Sequence, residues 1–302
     1  MNKVFSASRV DAMEEYMKTI VHELIDSFIE NGECDFIREF TTPLPVYVIA
    51  DQLGVPRKDL KEFKRWSDSF ARRLSQMATP DEQVEDAENI VAFQFYFADM
   101  IDQRRKNPSD DMISDLVVTE IEDPDNGETR PLNMEELQSI LQQLMVAGNE
   151  TTTSAITGGM VSLIRNPVQM KALRDDPTRI TNAVEEILRM ESPSAGMWRV
   201  VKRDTAFHGV NIPKDSLVML RYHAANRDRT LFDDPNDIHV DRKNADDHIA
   251  FGQGIHFCPG AMLARKNIHV EADYYAGEVD SGANILRSYD EREIPYDVLV
   301  TI

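Results

Sequence analysis

Cysteine is nearly missing from this chain of 302 residues, which carries only Cys34 and Cys258. Two such distant cysteines give no disulfide framework, and their scarcity fits a reducing cytoplasm. Long hydrophobic runs are missing too. None approaches the about 20 apolar residues a membrane-spanning helix needs, and no signal-peptide pattern opens the chain. Positive charge is scarce: 33 Lys and Arg stand against 53 Asp and Glu, a formal net charge of −20. An excess of that sign repels phosphate backbones, which argues against nucleic acid as a partner, and its simplest consequence is solubility. Without biased tracts, internal repeats or a linker, the expectation is one domain spanning 1–302.

What is present is helix after helix over the first two thirds. Val10, Met13, Met17, Ile20, Val21, Leu24, Ile25 and Phe28 form an apolar stripe at three- and four-residue steps, which predicts a helix over Ser8–Glu30 stopped by Gly32. A short apolar segment, Pro45–Leu53, ends at Gly54 and Pro56. Helices are expected over Lys58–Met77 and Pro80–Arg105, separated at Ala78-Thr79-Pro80. Asp123–Pro131 (DPDNGETRP) reads as a polar loop. A long helix should follow from Asn133 to Arg165, with Asn133 and Glu136 forming a capping box and Asn166-Pro167 ending it. Another should cover Pro177–Glu191. Beyond it the period shifts toward two, predicting short strands over Trp198–Lys202, Thr205–His208 and Leu217–Leu220, with turns at Gly209 and Pro213-Lys214-Asp215.

The segment Phe251–Gly260, FGQGIHFCPG, carries the most chemistry. Gly252 and Gly254 permit a tight loop and the close approach of backbone to a flat ligand. Cys258 sits where a helix begins, with Pro259 near its first position, and a helix N-terminus favours a thiolate. His256 can donate to an anionic group on the same ligand. A zinc site using Cys258, His256 and His248 is the alternative, but a structural zinc wants four ligands in paired spacing and the sequence offers none. The glycines do not fit a dinucleotide loop. Cys34 reads as a small buried apolar side chain.

FGQGIHFCPG matches the heme-binding signature of the cytochrome P450 family, FGxGxHxCxG, at every fixed position, and the chain resembles that family's soluble bacterial members. The resemblance implies heme b as cofactor, with Cys258 as axial thiolate to iron and His256 on a heme propionate. Phe251 would pack near the thiolate, with Gly252 and Gly260 framing the loop. Three further segments agree. In VAGNETTT (Val146–Thr153), a glycine and three threonines are poor helix formers, costing roughly 0.5–1 kcal/mol each relative to Ala, which suggests a local opening of the helix or hydroxyls turned onto its own backbone. The segment resembles the family's oxygen-binding motif, so Ala147 and Gly148 would make room for dioxygen, and Glu150 and Thr151 would deliver protons. Glu186 and Arg189 resemble the buried ExxR pair, with Arg242 in DPNDIHVDR as its third member and Ile238 in place of the usual phenylalanine. Trp198–Asp215 resembles the small sheet after that helix, where Arg199 would pair with a propionate. Arg265 and the loop before Cys258 would face an electron donor, and Val146 and Ser194–Trp198 the substrate.

The fold class implied is mainly α, a cytochrome P450-like helical domain with a small β-sheet. Asn2–Val10 already resembles the stretch after an N-terminal region that members carry, so the chain is expected to be truncated there. The far end, with Lys266-Asn267 in an altered helix and strands over Ile285–Arg287 and Ile294–Ile302, is shorter than usual. The function implied is a cytoplasmic heme-thiolate monooxygenase taking dioxygen, a small apolar substrate, and electrons from a ferredoxin-type or flavin-linked donor, with no membrane attachment. Two alternatives are an inactive or heme-binding-only fragment of such an enzyme, and an acidic helical interaction module without cofactor.

Overall fold

The computed structural model describes residues 7–75, 78–123, 127–273 and 299–301. The chain forms two compact units: Met1–Phe28 with Asp35–Thr153, and Ile29–Cys34 with Ser154–Ile302. Among the described residues no helix is long and apolar enough to cross a membrane.

The first unit is helical. The apolar stripe of the first helix is buried from Val10 to Phe28, but it lies on two helices, α1 (Ala7–Ala12) and α2 (Glu14–Asp26), with a short 3-10 turn over Ile29–Asn31 beyond them. A turn at Met13 separates α1 from α2 without losing the stripe. The segment after Gly32 holds a strand, β1 (Glu33–Asp35), and a π-helical turn at Ile37–Thr41, before α3 (Pro43–Gln52). Gly54 ends this run with φ +73°, and a Cβ there would stand 2.5 Å from the carboxylate of Asp111, so glycine is required twice over. Helices α4 (Leu60–Ser75) and α5 (Pro80–Lys106) follow, matching the expected pair except that residues 76 and 77 lie outside the described ones. Thr79 and Glu82 cap α5 reciprocally, and Pro80 opens it. Between α4 and α5, Trp66, Phe70, Phe93 and Phe97 pack edge-on or tilted at centroid separations of 4.7–6.3 Å, the arrangement aromatic quadrupoles prefer.

Two elements escaped the sequence reading here. Helix α6 (Met112–Val117) is capped by the Asp111 carboxylate, which accepts the Ser114 N–H at 2.8 Å. The stretch read as a polar loop is in part a hairpin. Strand β2 (Glu120–Glu122) pairs antiparallel with β3 (Thr129–Pro131), and polar side chains on both hide the alternation that would have shown it. Helix α7 (Met134–Ile164) then runs as expected, with the Asn133–Glu136 capping box closed at 2.8 and 2.9 Å. Its first twenty residues belong to the first unit and the rest to the second.

In the second unit, Asn166 and Pro167 end α7, and the proline also starts a helix that the sequence did not announce, α8 (Pro167–Asp175). Helix α9 (Ile180–Glu191) buries Ala183, Val184, Ile187 and Leu188. Four strands follow. Strand β4 (Met197–Val200) pairs with β7 (Leu217–Leu220), and β5 (Thr205–Phe207) with β6 (Val210–Ile212), both antiparallel. The β5–β6 turn has positive φ at His208 and Gly209, the pattern of a type I′ hairpin turn, so His208 is in the turn rather than the strand and Val210–Ile212 is a strand the sequence reading passed over. A short helix, α10 (Tyr222–Ala225), an irregular stretch to residue 260 and α11 (Ala261–Asp273) complete the unit. Strand β8 (Leu299–Thr301) pairs with β1 and falls within the expected Ile294–Ile302 strand. The expected strand at Ile285–Arg287 lies outside the described residues.

Candidate functional site

The segment from Ile249 to Gly260 is a string of tight turns held by its own backbone. Gly252 N–H donates to the Ile249 carbonyl at 2.9 Å, Phe257 N–H to Gly254 at 3.1 Å, and Cys258 N–H to Phe251 at 2.9 Å. Gly252 and Gly254 adopt φ of +73° and +67°, so the loop requires the freedom of glycine at both. Helix α11 starts at Ala261, and Pro259 lies two residues before it, in the turn that leads into the helix. Cys258 is half-buried, and burial pushes its thiol up from the ordinary value against the opposing pull of the Gly260 N–H and the Arg265 charge. The helix terminus therefore does not by itself make this thiol a thiolate. A bonded cation would supply that charge.

The surroundings of the thiol are apolar and open. Ile255 is 97 % exposed, and Phe257 and Met262 are exposed as well. Exposed side chains of this size clustered about one loop mark a binding surface. His256 is exposed and makes no hydrogen bond among the described residues. On β4, the Arg199 guanidinium donates, among the described residues, to the neighbouring Trp198 carbonyl alone, at 2.9 Å, which leaves most of its donors open. Trp198, Met197, Leu217 and Leu220 on the same two-stranded sheet are exposed. A thiol, a guanidinium with open donors, an uncommitted imidazole and an apolar loop are the donor set a heme with its two carboxylates would use. The residues present fit that group.

A buried ion network underlies this loop. Glu186 and Arg189 on α9 are both 0 % exposed. They form a two-pronged pair, with Arg189 Nε and a terminal nitrogen 2.7 and 2.9 Å from the carboxylate oxygens. Arg242 Nε lies 3.0 and 2.9 Å from the same two oxygens, and the His239 N–H adds a fourth donor at 2.9 Å. Arg189 reaches the carbonyls of Asn226 and Pro235 at 2.7 and 2.9 Å, and Asn226 Oδ1 accepts the Ile249 N–H at 2.8 Å. The network thus meets the cysteine loop at its first residue. Ile238, which stands where a phenylalanine was expected, is buried.

Beside it sits a second cluster that sequence reasoning missed. Glu185 accepts Arg265 through both oxygens, at 2.6 and 2.9 Å, and His248 Nε2 at 3.1 Å. Burial alone would raise the Glu185 carboxyl, but these bonds outweigh it and hold it down at about 2. His248, weighed above as a zinc ligand, has both ring nitrogens engaged, since Nδ1 also accepts the Ala250 N–H at 3.1 Å. Among the described residues no three His, Cys, Asp or Glu side chains converge as a metal set. Arg265, expected to face an electron donor, is committed to Glu185 and lies over the Phe251 ring at 4.6 Å.

On α7, in the first unit, Ala147, Glu150 and Thr151 share one face by their three- and four-residue spacing, and Ala147 and Glu150 are exposed. Thr151 Oγ1 donates to the Ala147 carbonyl at 2.8 Å. Thr153 Oγ1 donates to Thr41 O at 2.9 Å, and Asn149 Nδ2, buried, to Ser67 Oγ at 3.2 Å. The helix runs unbroken through this stretch, so the expected local opening is absent: the hydroxyls bond carbonyl groups while the helix keeps its own ladder. Gly148 packs against α3, where a Cβ would meet Ile49 Cγ1 at 3.4 Å. In the second unit an apolar cavity between α7, α8, α9 and α11 is lined in part by Ile156, Met160, Leu173, Ile187 and Ile268. It includes none of the expected site residues. Glu271 also lines it, buried, and desolvation alone pushes its carboxyl well above the ordinary range.

The family model for cytochrome P450 matches residues 60–271. A putative cytochrome P450, YjiB, of Bacillus subtilis is 37 % identical over 279 residues, covering 89 % of this chain and 67 % of the relative. A steroid C26-monooxygenase of Mycobacterium tuberculosis is 36 % identical over 268 residues, covering 89 % and 70 %. The crystal structure of P450BioI in complex with hexadec-9Z-enoic acid ligated acyl carrier protein superposes with a TM-score of 0.83 at 31 % identity, over 90 % of this chain and 69 % of that one. The chain therefore belongs to the cytochrome P450 family, whose members are monooxygenases with heme b as cofactor. It spans about two thirds of the length of the relatives it matches.

Proposed function

We propose that this chain is one heme-bearing domain of a monooxygenase, in which one atom of dioxygen enters a C–H bond of an apolar substrate and the other leaves as water. The balance takes two electrons, supplied by a ferredoxin-type or flavin-linked donor, and two protons. The observation that carries this reading is Cys258, half-buried on a glycine-shaped loop among exposed apolar side chains. Bound there, heme supplies the activation of dioxygen, and a thiolate ligand favours breaking the O–O bond.

The chain's residues have separate tasks in this reading. Cys258 would hold the iron through its sulfur, as a thiolate with its proton lost. Gly252 and Gly260 would let the backbone approach a flat ligand, and Phe251 would pack near the sulfur. His256 and Arg199 would hold the two heme carboxylates. On α7, Ala147 and Gly148 leave space for dioxygen, and Glu150 and the Thr151 hydroxyl pass protons inward, a positioned acid–base role. An apolar substrate is supported by the exposed Trp198, Met197 and Ile255, and by relatives whose names carry a steroid and a long acyl group. A cytoplasmic setting is supported by two free cysteines.

The test is oxygen and reductant consumption by the heme-loaded chain, with a surrogate ferredoxin and its reductase, across steroid and fatty-acid substrates. Substrate-dependent consumption with hydroxylated product supports the reading. Heme uptake without turnover leaves a heme-binding-only fragment, and no heme uptake overturns both.

A further inference from the structure

Glu185 lies far in sequence from His248, Phe251 and Arg265, and all four meet at the loop that carries Cys258. Glu185 is on α9, Arg265 is 80 residues away on α11, and His248 is 63 residues away just before the loop. One carboxylate receives all three donors, two from Arg265 and one from His248. The two Arg265 bonds form the planar fork that guanidinium and carboxylate favour. The remaining face of that guanidinium lies 4.6 Å over the Phe251 ring, a cation–π contact. Phe251 in turn accepts the Cys258 N–H at 2.9 Å. At the other end of the segment, the Ala250 N–H donates to His248 Nδ1. That bond requires Nδ1 to carry no proton, so the hydrogen sits on Nε2 and points to Glu185. The loop is thus gripped at residues 248–251 through one carboxylate on a neighbouring helix.

The Glu186 network cannot take over this task. Among the described residues its hydrogen bond to the loop runs through Asn226 to the Ile249 N–H, and its other bonds go to residues outside the loop. Nor is Glu185 an idle surface charge. It is mostly buried, and two cationic or polar partners hold it ionised. An ionised, buried carboxylate with three donors costs desolvation and fixes whatever donates to it.

We infer that Glu185 is a positioning residue for Cys258: it holds Arg265 over the Phe251 ring and His248 in its Nε2–H form, and so fixes the loop from which the sulfur would reach the iron. This rests on the reading of Cys258 as the heme ligand. Groups that orient a metal's ligands typically affect binding by about 10–100-fold when removed.

The experiment compares the full 302-residue chain with Glu185→Gln, Glu185→Asp and Arg265→Lys, with the exposed Lys171→Gln as control. Heme affinity is measured by titration, the ligand state by the absorption of the reduced carbon monoxide complex, and loop order by amide hydrogen exchange in the heme-free chain. Glu185→Gln is expected to weaken heme binding about 10–100-fold and to lower the thiolate-type fraction. It should also speed exchange in residues 248–258 while helicity is unchanged. Glu185→Asp should recover part of each. Arg265→Lys, which keeps charge but loses the fork, should follow Glu185→Gln, and it decides the matter if the glutamine variant does not fold. Heme affinity and loop exchange equal to wild type in both variants would overturn the inference. Should the wild type take up no heme, the monooxygenase reading fails, and exchange alone still judges the clamp.

Discussion

Arg242 places its Nε 3.0 and 2.9 Å from the two oxygens of Glu186, a residue 56 positions earlier in the chain. The opposite side of that carboxylate is held by Arg189, so one buried negative charge faces two positive ones with backbone carbonyls taking the spare donors. Removing the carboxylate would leave two buried cations without a counter-charge, which costs about 3–5 kcal/mol. Glu186→Ala should therefore lower unfolding stability by about that amount in a denaturant titration. A loss under about 1 kcal/mol, the range of surface pairs, would mean the network carries little.

Glu271 makes the opposite case, a carboxyl with no compensating partner among the described residues in an apolar cavity. Its folded value lies above its ordinary value near 4.5, so the folded state holds the proton more tightly. Its contribution is full below the ordinary value and is lost as pH rises through the folded value. Glu271→Leu should stabilise the chain at neutral pH by about 1–3 kcal/mol, the cost of an unsatisfied buried group. The gain should shrink toward pH 4, and thermal unfolding across pH would read it. A gain independent of pH would show that packing, not charge, is relieved.

The threonines of α7 separate a structural from a chemical role. Thr151 already bonds Ala147 O, so Thr151→Val keeps the shape and removes the hydroxyl. Product formation should fall by about 100-fold or more, as for a lost proton donor, with heme affinity unchanged within about twofold on that account. Glu150→Gln should act in the same direction. Product formation near wild type in both variants would remove the proton-delivery role.

Much of this was legible in the sequence. The stripe from Val10 to Phe28 and the Asn133–Glu136 cap were visible because periodicity and capping are local signals, while the Glu186–Arg189 pair with Arg242 was legible only through the family resemblance. The α8 helix was not, since Pro167 reads as a terminator and serves equally well at a first helical position. Strands β2 and β3 carry polar side chains, Glu-Ile-Glu and Thr-Arg-Pro, with no alternation to read. Glu185 was hidden for another reason: its partners are 63 and 80 residues away, and only tertiary structure gathers them. A helix start was expected to favour the thiolate of Cys258, but Pro259 and Gly260 separate it from α11, and burial pushes the thiol up.

The most direct measurement is the absorption spectrum of the chain with heme added, reduced and then exposed to carbon monoxide, beside Cys258→Ser. The wild type should show the red-shifted band after which the family is named, and the serine variant should lose it while keeping its helicity. No heme uptake, or a band in the wild type that matches the serine variant, would contradict the assignment of Cys258 as the iron ligand.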